Sequence, residues 1–76
     1  MESNDLIRLG FKDTSFWDEG NKFTVFSFSQ EDAKIDVSGD DLVEICIDGI
    51  WNTVPNCKTI KDIKDLAILF GITLKR

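Results

Sequence analysis

The hydrophobic positions of this chain change their spacing several times, and each change marks an element. Ser3, Asn4 and Asp5 precede Leu6, Ile7 and Leu9, a pattern that predicts a short capped helical turn closed by Gly10. Phe11 to Asn21 has no period; Gly20-Asn21 is a turn signal, and Phe16-Trp17 places apolar bulk inside a loop. Lys22 to Ser29 (KFTVFSFS) is dense in aromatic, β-branched and hydroxyl residues and predicts a strand. After a turn at Ser29 to Asp32, the segment Ala33 to Ser38 alternates, with Ala33, Ile35 and Val37 on one face and Lys34, Asp36 and Ser38 on the other. Gly39-Asp40 interrupts, and Asp41 to Asp48 alternates again, with Val43, Ile45 and Ile47 sharing a face.

Asp48-Gly49, between Ile47 and Ile50, has the composition of a two-residue hairpin turn in which both central residues take positive φ. Ile50, Asn52 and Val54 then share a face with Val43, Ile45 and Ile47, and Trp51 falls on the opposite face beside Cys46 and Leu42. Pro55 has no amide proton to donate and ends the pairing. Thr59 to Phe70 predicts a helix. Thr59 is placed to cap it with Asp62 three residues on, and Ile60, Ile63, Leu66, Ala67 and Phe70 form one broad stripe. Gly71 stands where a left-handed C-terminal cap is needed, and Ile72 to Leu74 has the composition of a short last strand before the basic end, Lys75-Arg76.

These elements predict a single α+β domain over residues 1–76. It comprises a small antiparallel sheet of three to four strands in meander order, a C-terminal helix on one face and a short N-terminal helical turn. One helix and one small sheet give a modest core, so stability is expected near the low end of ~5–15 kcal/mol. One helix also covers only one side of a sheet. The other side carries Leu42, Cys46 and Trp51, and the first strand sets Phe23 and Val25 against Phe26 and Phe28, so apolar residues are expected on both faces. The N-terminal segment, through Leu6, Leu9, Phe11, Phe16 and Trp17, is expected to fold over the second face. Alternatively, some of these aromatics stay exposed as a binding or dimer patch.

Charge adds a second asymmetry. The chain has a net charge of −5 without any histidine, and residues 31–48 hold seven acids (Glu31, Asp32, Asp36, Asp40, Asp41, Glu44, Asp48) against Lys34 alone. Residues 49–76 are net positive, with five bases and two acids. Carboxylates on strands and turns keep sheet edges soluble, and that is sufficient reason for them. Read functionally, they form an acidic face that steers toward a basic partner, as inhibitors occupying a nucleic-acid groove do. Such a composition argues against direct binding to nucleic-acid phosphates.

The chemistry on offer is narrow. Without histidine there is no Ser-His-Asp, Cys-His or His-metal arrangement, and two cysteines do not complete a structural zinc site. Asp36 to Asp41 lacks the glycine and the distal acid of a calcium loop, and no phosphate-cradling glycine motif occurs. No catalytic, metal or cofactor site is expected, and the chain is not expected to be an enzyme. Cys46 and Cys57 are expected as free thiols, a disulfide requiring their Cα atoms within about 6 Å. The acidic start, Met1 to Asp5, differs from a signal peptide, and the longest apolar run, Leu66 to Phe70, is far short of a membrane span; a cytoplasmic location is expected.

The stretch Leu6-Ile7-Arg8-Leu9-Gly10-Phe11, followed by an aromatic strand and a closing hairpin and helix, resembles a class of small α+β proteins of uncharacterised function from gut Bacteroidetes and their phages. That resemblance implies a mobile-element or accessory role and assigns no residue. Together these readings predict a small non-catalytic module that binds a protein partner or itself. An acidic decoy or inhibitor that binds a basic protein surface is the alternative. The candidate binding residues are Phe16, Trp17, Trp51, Asp36, Asp40, Asp41 and Glu44.

Overall fold

A computed structural model describes residues 1–75, which leaves Arg76 of the basic end outside the described residues. The elements are α1 (Ser3–Arg8), β1 (Lys12–Asp13), β2 (Phe16–Asp18), β3 (Asn21–Phe23), β4 (Val25–Gln30), β5 (Ala33–Ser38), β6 (Val43–Ile47), β7 (Ile50–Thr53) and α2 (Ile60–Leu69). Strands β4 to β7 form the expected antiparallel meander, and β1 extends it beside β4, so the main sheet runs β1-β4-β5-β6-β7. Strands β2 and β3 form a separate two-stranded ribbon. The chain therefore has more strands than the three to four its pattern predicts, because KFTVFSFS is two strands.

The break falls at Thr24. Its carbonyl accepts the Gly39 N–H at 2.8 Å, and the Val25 N–H donates to the Ser15 hydroxyl at 3.1 Å. Upstream, Phe23, Lys22 and Asn21 pair with Phe16, Trp17 and Asp18 across Glu19-Gly20, where both residues take positive φ (50° and 80°). The same geometry recurs at the anticipated turn, where Asp48 and Gly49 take φ of 51° and 80°.

This break also narrows the expectation of two apolar faces, since Cys46 and Trp51 lie on the reverse face as expected but Phe23 and Leu42 do not. Phe26 and Phe28 pair with Val37 and Ile35 and face the core, whereas Phe23 leaves the sheet with the ribbon. Leu42 lies in the β5–β6 loop rather than in a strand. Val25, Cys46 and Trp51 are then the apolar residues left on the reverse face, which is otherwise polar.

Nor does the N-terminal segment cover that face. Leu6, Leu9 and Phe11 join Ile63, Leu66 and Ala67 in one cluster with Phe26, Ile35, Val37, Val43 and Ile45, so both helices lie on the same side of the sheet. Phe11 packs its ring 5.5 Å from that of Phe28. Phe16 and Trp17 remain exposed on the ribbon. Ile50, expected in the core, is exposed because edge strand β7 begins at the turn, beyond the reach of the helices.

Capping explains where the helices begin and end. Thr59 accepts the Asp62 N–H at 3.2 Å while the Asp62 carboxylate accepts the Thr59 and Lys58 N–H groups at 3.1 and 2.9 Å. These bonds hold the Asp62 carboxyl below its ordinary pKa. The expected polar cap of α1 is absent: Ser3, Asn4 and Asp5 lie inside the helix, and Glu2 stands at its N-cap without a side-chain bond.

Both helices close alike. Ile72 N–H donates to Ala67 C=O and Gly71 N–H to Ile68 C=O, and Phe11 and Gly10 donate to Leu6 and Ile7 in the same pattern. These are Schellman motifs with a left-handed glycine. In α2 the motif leaves Phe70 exposed at the C-cap and buries Ile72, which takes the place in the core that the stripe assigned to Phe70.

Ile72 to Leu74 is not a strand. The Thr73 N–H donates to the Gln30 side chain and the Lys75 N–H to Leu9 C=O, each at 2.8 Å, so these donors are satisfied outside the sheet. Both cysteines are free and buried, Cys57 within the core and Cys46 on the reverse face. Burial and the nearby Asp62 carboxylate push the Cys57 thiol pKa up, which keeps it protonated and unreactive.

Candidate functional site

The reverse face of the sheet gathers most of the candidate residues, and strand register places them. Ser27, Asp36, Glu44 and Thr53 stand side by side across β4 to β7. The next row is Ser29, Lys34, Cys46 and Trp51. Directly paired residues hold their Cβ atoms about 5 Å apart, so Asp36 and Glu44 are side-chain neighbours of like charge. Like charges in that position are destabilising. Lys12, paired with Ser27, and Lys34, paired with Cys46, are the bases that flank this pair on the same face.

Trp51 is 46% exposed, with Cys46 as its direct cross-strand neighbour. A recess of about 350 Å³ opens beside the indole, lined also by the turn acids Glu31, Asp32 and Asp48 together with Lys34. The two turns are tied by the Asp48 N–H, which donates to Asp32 C=O at 3.1 Å. Glu31, Asp32 and Asp48 belong to the acidic segment but were not among the candidate binding residues. The signal was present: two-residue turns at 31–32 and 48–49 set their acids beside the row that holds Trp51.

At the opposite end of the same face, the ribbon overhangs the sheet. Phe16 and Phe23 stack with ring centroids 5.3 Å apart and planes 18° from parallel. They line a cleft of about 380 Å³ with Lys22, Val25, Ser38 and Asp40. Thr14 anchors the ribbon, its N–H donating to Val25 C=O at 2.8 Å and its hydroxyl sharing a 2.9 Å hydrogen bond with that of Ser27. The face thus runs from a phenylalanine pair beside Asp40, across Asp36 and Glu44, to Trp51 among three turn acids. Strands of six residues make it about 20 Å long.

Two candidates lie apart from this strip. Trp17, 70% exposed and paired with Lys22, projects from the other side of the ribbon. Asp41 accepts the Met1 ammonium group at 2.7 Å and so ties the start of α1 to the β5–β6 loop. Among the described residues, no three of His, Cys, Asp and Glu gather where they would hold a metal ion. Among the same residues, no helix is long and apolar enough to cross a membrane. Aromatic faces bounded by carboxylates attract cations through ring quadrupole and charge together, and they suit lysine and arginine side chains. No family model, curated protein or solved structure matches the chain.

Proposed function

We propose that this protein is a non-catalytic binding module whose reverse sheet face holds a basic segment of a partner protein. The observation that carries this reading is the direct opposition of Asp36 and Glu44 beside a half-exposed tryptophan that no element covers. A basic partner relieves the repulsion and brings a cation to the indole, so one ligand answers both features. Each contact is small: about 0.5–1 kcal/mol for an exposed cation–π pair and less than about 1 kcal/mol for an exposed ion pair. Summed over the strip, they give a salt-sensitive complex in rapid exchange rather than an obligate one.

The reading joins the interaction module to the acidic decoy: the module binds by occupying a basic surface. The resemblance to small phage and gut Bacteroidetes proteins supports a cytoplasmic, mobile-element accessory role, in which occupying a partner's basic surface is the inhibitory act.

The test uses Trp17→Phe, an exposed change that leaves Trp51 as the single indole. Its emission is followed during titration with a decapeptide of alternating lysine and arginine. A saturable change is expected, lost as salt rises from about 50 to about 500 mM and weakened on the order of tenfold by Glu44→Lys. Emission that does not respond, or responds equally at both salt concentrations, would refute the proposal.

A further inference from the structure

The helix side of the molecule carries a second surface of opposite character. A groove of about 610 Å³ opens where the end of α1, the tail after Gly71 and the exposed side of α2 meet. Its floor is apolar, formed by Leu9, Ala67, Ile72 and Leu74. Its rim is cationic, formed by Arg8, Lys64 and Lys75. Arg8 is held by Asp5 at 3.1 Å, whereas among the described residues neither Lys64 nor Lys75 has a carboxylate within ion-pair distance. In a chain of net charge −5, these bases are gathered around an apolar groove.

The apolar surface does not stop at the groove. Ile68 on its lip is 78% exposed, and Leu69, on the flank of α2 toward Pro55 and Asp65, is 77% exposed. Five consecutive apolar residues, Leu66 to Phe70, end this helix, and a helical period sends only Leu66 and Ala67 into the core. Propensity accounts for neither exposed residue, since lysine or glutamate forms helix as well at such positions.

From this juxtaposition we infer that the groove docks an acidic amphipathic helix of a partner protein. Charge complementarity selects the sign: two lysines and an arginine around an apolar floor call for carboxylates flanking an apolar stripe. The exposed Ile68 on the lip selects size, since a small anionic amphiphile filling the groove leaves that side chain bare while a helix lying along the lip does not. Side chains rather than a free strand edge line the groove, which favours a helix over an added strand. The surface lies on the opposite side of the sheet from Trp51 and is independent of the function proposed for that face.

The probe is a fluorescein-labelled, 16-residue helix with leucines at i, i+3, i+4 and i+7 spacing and glutamates elsewhere, titrated into the full chain. Saturable binding is expected, with amide shifts at Leu9, Ile68, Ile72 and Leu74 in a ¹⁵N-labelled sample. Lys64→Glu combined with Lys75→Glu should weaken it by about tenfold or more, and Ile68→Ser by about fivefold. Both positions on α2 are exposed, and unchanged melting curves confirm that the variants fold. Three results would overturn the inference: groove amides that do not move, equal binding of the same helix with lysines in place of glutamates, or decanoate occupying the groove and displacing the peptide.

Discussion

On the inner face of the sheet, Phe28, Ile35 and Ile45 stand in a row beneath two helices. One residue further along each strand, Ser27, Asp36, Glu44 and Thr53 form a row on the face that no helix covers. The same strands serve both rows, so the contrast isolates what packing dictates from what it leaves free. Inside, volume and apolarity are imposed by the neighbours, and Ile35 and Ile63 are fully buried. Outside, solubility alone asks for mixed polar residues, yet two acids are paired directly across strands and a tryptophan is left half bare. The inner row explains why the domain folds, and the outer row holds choices that folding does not require.

The comparison is broken most severely by substitution on the inner face. Ile63→Ala removes a side chain with no exposed surface and should cost about 3 kcal/mol in urea unfolding. Trp51→Ala, a larger truncation, should cost less than about 1 kcal/mol because the indole packs on one side only. Equal losses would mean that the reverse face is as much a part of the core as the helix side.

Next in size is the cap that orients α2 on the inner face. Thr59→Ala should destabilise by about 1 kcal/mol in the same unfolding experiment. Its partner Asp62 links this cap to pH. The folded carboxyl has a lowered pKa, so the unfolded chain binds the proton more readily. The cap's contribution is full above the unfolded carboxyl pKa and is lost as pH falls through the folded one. Melting curves of Asp62→Asn over the acid range should be flatter against pH than those of the unaltered chain.

The smallest effect sharpens the comparison most. Glu44→Lys replaces a like-charge pair with an opposite-charge pair across β5 and β6, and should raise stability by about 0.2–1 kcal/mol. The same change should weaken binding of a basic peptide. Stability and binding moving in opposite directions is the signature of a residue kept for a partner; a loss of stability would remove the argument from repulsion.

Much of the inner face was legible because its signals are local and redundant. Val43, Ile45 and Ile47 alternate, Asp48-Gly49 dictates its own turn, and Thr59 with Asp62 announces the start of α2. The break at Thr24 was not legible, because it depends on Gly39 and Ser15, residues distant in the chain that bond to the strand at that point. That single break sends Phe23 into the ribbon and removes the reason to cover the reverse face. The site was legible in part: Trp51, Asp36 and Glu44 follow from strand parity, whereas the recess beside Trp51 needs the two turns brought together. Asp41 and Trp17 could not be separated from the strip by pattern, since their orientation is set by Met1 and by the ribbon.

The central claim, that the reverse face binds basic polypeptide, is tested most directly by titrating ¹⁵N-labelled protein with the lysine–arginine decapeptide and mapping amide and indole shifts. The account predicts movement of Asp36, Glu44, Asp48 and the Trp51 indole, with Ile63 and Ala67 still. Shifts confined to the helix side, or none at all, would contradict it.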